Sequence, residues 1–430
     1  MMIDIGSEPE RAILVAAPPL DESQEVVDEH LEELGRLADT AGAVVVGQLV
    51  QRLKSPNPAL FIGRGKAEQL CEQLDRDAAS LVIFDDDLSP AQGSALEKSL
   101  GARVMDRTEL ILDIFALRAR TAEAKVQVEL AQLQYMRTRL KRMWTHLSRI
   151  AGGIGARGPG EQQLETDRRL IDRRIARLRR ELKGISSSRE TRRKAGRGEF
   201  RVAIVGYTNA GKSSILQALS GRELFIEDRL FATLDSATRI VDLGEGYQAL
   251  ATDTVGFIRK LPHHLVASFR ATLEEIEEAD LLVHVADVSS PSWEHQMEAV
   301  NEVLRDLSIS GPVLLALNKV DQLTHHEESA LRSRAEALYG PHVLTTVREE
   351  GGLEPLRSAL RERMRADRPL VRITLAAKDG RTLAEAYREG EVLERRENGG
   401  SIELTARVPA AVVGRWRQQE GVHVTGADAV

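Results

Sequence analysis

Eight consecutive residues, Gly206-Tyr207-Thr208-Asn209-Ala210-Gly211-Lys212-Ser213, carry the spacing G-x-x-x-x-G-K-[ST]. Glycines at those places let backbone N–H groups face phosphate oxygens, and a helix N-terminus adds a favourable dipole. The motif needs a strand before it and a helix after it, and Val202-Ala203-Ile204-Val205 and the helical Ser214 to Leu219 meet that need. Lys212 is expected to reach the β- and γ-phosphates of a nucleoside triphosphate, and the Ser213 hydroxyl to bind Mg²⁺.

The spacing alone does not choose the base. Asn318-Lys319-Val320-Asp321, following the apolar run Val313 to Leu317, does so. A carboxylate at Asp321 can accept from guanine N1–H and its 2-amino group. Adenine has neither donor, and a buried acceptor left unmet costs about 1–3 kcal/mol. Between the two motifs stands Asp253-Thr254-Val255-Gly256, after the strand-like Tyr247 to Thr252. Asp253 is placed to hold Mg²⁺ through water, and the Gly256 N–H to meet the γ-phosphate. Thr233 is the candidate switch threonine that completes the Mg²⁺ shell, so Lys212, Thr233 and Gly256 form the expected catalytic set. Phe257 follows, where a Ras-like enzyme has a water-orienting glutamine nearby. Either hydrolysis needs a partner, or Phe257 packs in the core and another side chain acts.

The elements that must position these residues can be traced along the chain. Residues 12–118 alternate short β-branched runs with amphipathic helical stretches, the rhythm of a small parallel α/β sheet, so 1–118 are expected to form an N-terminal α/β domain. Val126, Leu130, Leu133, Leu140, Trp144 and Leu147 then form a heptad seam, as do Leu164, Ile171, Ile175, Leu178 and Leu182. Gly152 to Gly160 between them is too rich in glycine and proline to remain helical. Residues 119–185 are therefore expected to be an antiparallel helical hairpin with a glycine-rich tip, and 186–199 a basic linker. Residues 200–366 form a second α/β domain around the phosphate loop, and 367–430 a small α+β module. The fold class is multidomain α/β.

Charge is distributed unevenly. The chain of 430 residues has a formal net charge of −7. From Arg137 to Arg197 there are nineteen Lys/Arg against six Asp/Glu, which leaves the remainder strongly acidic. A polyanion-binding segment on an acidic protein has this pattern, and so has a solvated helical surface. A single cysteine, Cys71, rules out an internal disulfide. No apolar run is long enough to span a membrane, and the acidic start does not fit a secretory signal, so a cytoplasmic protein is expected.

With these motifs together the chain resembles the HflX family of translation-associated GTPases over essentially its whole length. The most diagnostic stretch runs from Gly152-Gly153-Ile154-Gly155-Ala156-Arg157-Gly158-Pro159-Gly160 through Glu161-Gln162-Gln163-Leu164-Glu165-Thr166-Asp167-Arg168-Arg169. Phe231-Ala232-Thr233-Leu234-Asp235 and Asp253 to Arg259 match as well. The resemblance implies GTP/GDP binding with Mg²⁺ as cofactor. Gly206 to Ser214, Phe231 to Asp235, and Asp253 to Gly256 would face the nucleotide, with Ser213 and Thr233 as Mg²⁺ ligands. Asn318, Lys319, Val320 and Asp321 would surround the base. The last guanine motif of the family usually reads Ser-Ala; here Thr346-Val347 precede Gly351-Gly352-Leu353, and Thr345, Thr346 and Val347 would lie at the nucleotide. The resemblance further implies a monomer that binds the large ribosomal subunit and its rRNA, and that splits stalled or idle ribosomes under stress. Arg157, Arg168, Arg169, Arg173 and Arg174 are the expected RNA contacts. An assembly or hibernation factor that binds ribosomes without splitting them shares the same features.

Overall fold

Alternating apolar runs and amphipathic stretches in the first part of the chain build a four-stranded parallel sheet. Its strands are β1 (Arg11–Ala16), β2 (Val44–Val50), β3 (Leu81–Phe84) and β4 (Arg103–Asp106), in the order β2-β1-β3-β4. The structure is a computed structural model describing residues 9–150, 168–185, 200–222, 229–261 and 275–426. The chain divides into two units: Met1–Ser188 with Glu227–Asp235 and Lys260–Ala271, and Arg189–Ile226 with Ser236–Arg259 and Thr272–Val430.

In the first unit, helix α1 (Gln24–Ala41) starts where the Ser23 side chain accepts from the Val26 N–H and stops at Gly42, φ 91°. Its apolar positions Val27, Leu31, Leu34 and Leu37 recur every three or four residues and are buried. Helices α2 (Arg64–Arg76) and α3 (Pro90–Leu100) follow. The second has a Ser89/Gln92 capping box and Pro90 in its first turn. Helix α4 (Arg107–Arg118), which the sequence reading left unassigned, is capped by Asp106 and buries Leu110, Ile111, Leu112, Ile114 and Phe115.

Helix α5 (Ala122–Ile150) and a helix over residues 168–185 (α6) then pair. Leu130, Ile175 and Leu178 are buried between them, with Val126, Leu133, Ile171 and Leu182 packed around. Glu129 pairs with Arg174 while Arg137 pairs with Asp172, so chain order reverses across the seam and the pair is antiparallel. Leu164, the glycine tip with Arg157, and the 186–199 linker lie outside the described residues, as do the side chains of Leu140, Trp144 and Leu147.

The second unit contains β5 (Phe200–Gly206), β6 (Ala237–Gly244), β7 (Tyr247–Asp253), β8 (Leu281–Asp287), β9 (Val313–Asn318) and β10 (His342–Thr345). They form one sheet in the order β10-β9-β8-β5-β7-β6, parallel except for β6 against β7. Val202, Ile204, Val283, Val285 and Ala316 anchor its core. Because β5, β7, β8 and β9 run parallel, their C-terminal residues Gly206, Asp253, Asp287 and Asn318 emerge along one edge. That edge is where α/β sheets bind ligands. The chain ends in a β-α-β-β-α-β module whose antiparallel strands β11 (Leu370–Ala376), β12 (Glu391–Asn398), β13 (Ser401–Arg407) and β14 (Val422–Gly426) order as β12-β13-β11-β14. Trp416 is buried against this sheet with Val371, Ile373 and Leu404.

Candidate functional site

The loop after β5 has glycine where no other residue fits. Gly206 has φ 152°, and a Cβ there would lie 2.3 Å from the Val285 carbonyl oxygen. Gly211 has φ 97°, and its Cβ would lie 2.3 Å from Asn318 Nδ2. The loop therefore presents backbone where a side chain would otherwise stand. Helix α7 (Lys212–Ser220) begins directly after Gly211, an N-cap that has no side chain to accept from its first N–H groups. Lys212 is buried, and its Nζ donates to the carbonyls of Gly206 (3.1 Å) and Tyr207 (2.7 Å). Burial pushes its pKa down to about 8, against the pull of Asp253.

Ser213 Oγ donates to Asp253 Oδ2 at 2.5 Å. These two oxygens, of the hard-donor type that Mg²⁺ takes, thus meet at one place. The Thr208 hydroxyl is buried in the loop and has no protein partner among the described residues, which fits a loop made to enclose a phosphate. The Asp253-to-Gly256 segment is stitched to the loop. Phe257 N–H donates to the Gly206 carbonyl at 3.1 Å, and Thr208 N–H to the Phe257 carbonyl at 2.8 Å. A Cβ on Gly256 would come 2.9 Å from Thr208 Cα and 3.0 Å from Lys212 Nζ. The Phe257 ring is buried. His284 on β8 is almost fully buried, its Nε2 has no partner among the described residues, and burial together with the Lys212 charge lowers its pKa to about 4.

The expected base-reading residues are assembled by their own contacts. Asn318 Nδ2 donates to the Ala210 carbonyl at 2.9 Å, and the Thr345 hydroxyl to Asn318 Oδ1 at 3.2 Å. Lys319, at φ 66°, donates to the Asn209 carbonyl (3.1 Å) and to Asp287 (2.6 Å). The Thr346 hydroxyl donates to Asp321 Oδ1 at 2.6 Å and accepts the Arg348 N–H at 3.1 Å. Asp287, His284 and the hydroxyl of Thr346 went unnoticed in the sequence. Asp287 ends an apolar strand, and that position at the sheet edge was the signal available.

Thr233 and its neighbours Phe231 to Asp235 belong to the first unit, where Leu230, Phe231 and Leu234 are buried. On α6, Arg168, Arg169, Arg173, Arg174, Arg177, Arg179, Arg180 and Lys183 are all exposed. Arg174 is held in a two-pronged pair with Glu129, at 2.6 and 2.8 Å. Among the described residues no helix is long and apolar enough to cross a membrane.

A parallel sheet with a G-x-x-x-x-G-K-S loop, an acidic strand end beside its serine, and an N-K-x-D loop held against it define a P-loop GTPase. Family comparisons agree. Residues 28–116 match the "GTP-binding GTPase N-terminal" family, 118–195 the "GTP-binding GTPase Middle Region", and 201–319 the "50S ribosome-binding GTPase" family. The chain is 42% identical to GTPase HflX of Magnetococcus marinus, over 98% of this chain and 99% of that protein. It is 41% identical to GTPase HflX of Escherichia coli K12, over 91% and 92% respectively. The crystal structure of SsGBP and GDP complex aligns at 27% identity and TM-score 0.46, covering 82% of this chain and 98% of that one. The chain belongs to the HflX family of GTPases, and it hydrolyses GTP.

Proposed function

We propose that this chain is a Mg²⁺-dependent GTPase of the cytoplasm that binds the large ribosomal subunit and, in its GTP form, separates stalled or idle ribosomes into subunits. The exposed basic face of α6 carries this reading: eight cationic side chains stand on one eighteen-residue helix against Asp172 and Glu181 alone. Such a surface suits a polyphosphate, whose contacts release counterions and fall off steeply with salt. Supporting it, the G-domain residues match a family described as a 50S ribosome-binding GTPase.

At the nucleotide, the Gly206–Ser213 backbone and Lys212 would cradle the phosphates, with Lys212 exchanging carbonyl partners for phosphate oxygens. Ser213 and Thr233 would hold Mg²⁺ directly and Asp253 through water, and the ion supplies charge neutralisation as the γ-phosphate leaves. Asp321 would accept from guanine, while Thr346 keeps its carboxylate oriented. Phe257 offers no hydrogen bond to water, so the order that catalysis needs would come from the ribosome. Mixing the protein with intact ribosomes and GTP, then separating particles on a sucrose gradient, tests the reading. Free subunits should rise with GTP and not with GDP. Binding without any rise would instead favour an assembly or hibernation role, and the splitting claim would be abandoned.

A further inference from the structure

The root of the arm and the switch segment share one set of hydrogen bonds. Helix α5 begins at Ala122, and its first-turn N–H groups need partners from outside the helix. Thr121 Oγ1 accepts the Ala124 N–H at 3.1 Å, the usual place of an N-cap. The same hydroxyl donates its proton to Asp235 Oδ1, and Asp235 Oδ2 accepts the N–H groups of Arg120 and Thr121 at 3.2 Å each. One carboxylate from the switch segment thus takes three hydrogens at the positive end of the arm helix, where a negative charge is favoured.

A second anchor lies four residues upstream. Phe231 is buried at φ 55°, a conformation that a bulky residue keeps only where packing over-determines it. Its ring meets Phe115 of α4 edge-on, with centroids 4.7 Å apart. Thr233 sits midway between the two anchors. Two residues of chain span at most about 7 Å, so a large movement of Thr233 must disturb the Phe115 contact, the Asp235 cap, or both. Elsewhere in the same unit, Lys260 pairs with Asp85 at 3.1 Å and Asp86 at 2.6 Å. Asp85 is itself fixed by the buried Arg107 at 2.8 Å.

We propose that Thr121 and Phe115 are positioning residues for the switch segment, and that the Thr121–Asp235 contact carries the nucleotide state into the first turn of the arm helix. The proposal rests on Thr233 being the residue that senses Mg²⁺ and GTP. Linkage makes the coupling reciprocal, so whatever grips the arm also biases the switch.

Hydrogen exchange on the full chain, loaded with Mg²⁺ and either GDP or guanylyl imidodiphosphate, reads this without any ribosome. Failure of the ribosome reading therefore leaves the experiment unaffected. Exchange at the Ala124 amide, whose N–H the Thr121 hydroxyl accepts, should differ about fivefold between the two loaded states, the size of gaining or losing one cap. In Thr121→Val the difference should vanish, and in Thr121→Ser, which keeps the hydroxyl, it should return. Steady-state turnover should show kcat altered in Thr121→Val with KM for GTP unchanged, and normal in Thr121→Ser. Equal exchange in both states of the unaltered protein would overturn the proposal. So would a nucleotide difference that survives in Thr121→Val.

Discussion

The Thr346 hydroxyl donates to the Asp321 carboxylate at 2.6 Å and holds it. Replacing Thr346 with valine keeps the shape and removes the hydrogen bond. Two effects then oppose each other. Without Thr346 the carboxylate gains freedom to accept from guanine, but it also loses its orientation. An ionised carboxylate has about four acceptor positions and guanine uses two, so the threonine does not compete for them. Orientation should win. A hydrogen bond to a charged group contributes about 1.5–3 kcal/mol. Asp321 retains some solvent contact, its side chain being 10% exposed, and Arg348 lies 3.8 Å away, so the low end applies. About 1.5 kcal/mol corresponds to roughly tenfold weaker guanine nucleotide binding. Calorimetric titration of the nucleotide-free protein with GDP should show that loss for Thr346→Val. Thr346→Ser should bind as the unaltered protein does. GDP affinity unchanged within a factor of about two would refute the reasoning and place the orienting role elsewhere.

Other outcomes follow from the same geometry. Asp321→Asn should turn the preference from GTP to xanthosine triphosphate in a competition assay, and retained GTP preference would locate base selection in other groups. Burial holds the Lys212 pKa near 8, and phosphates bound against its ammonium group should raise it. GTP binding at pH 8.5 should therefore take up protons, measurable as a dependence of binding heat on the buffer's ionisation enthalpy; no uptake would show that Lys212 is already charged. His284 is neutral in the fold down to about pH 4, whereas an unfolded histidine protonates near 6.5. The unfolded state thus binds the extra proton between those values, so stability should fall as pH drops through that window. Thermal melts of His284→Phe should be flatter there. Reversing Arg168, Arg169 and Arg173 to glutamate should weaken ribosome association and reduce its salt slope by about three, one unit per lost phosphate contact; an unchanged slope would remove the RNA reading of that face.

What could be read from the chain in advance depended on where each constraint lies. The phosphate loop is local: glycine at 206 and 211 answers a backbone need, and lysine and serine follow at fixed distance. The Asn318-Lys319-Val320-Asp321 loop is local too. Helix α4 was missed because Leu110, Ile111 and Leu112 form a continuous apolar run, which erases the period that marks a helix with one wet face.

Contacts between distant segments left no periodic trace at all. Asp287 meets Lys319, the Thr346 hydroxyl meets Asp321, and Asp235 meets Thr121, across 32, 25 and 114 residues. Aspartate and threonine are common turn and surface residues, so their types do not mark such positions. Asp235 shows what this implies for the whole family of contacts. A motif match assigns it to the nucleotide segment, while the structure gives its carboxylate to the first turn of the arm helix. If the segment answers to both, as proposed above, Asp235 couples them. Exchange at the Ala124 amide is thus a more direct measure of that coupling than ribosome binding, because no third surface enters the balance.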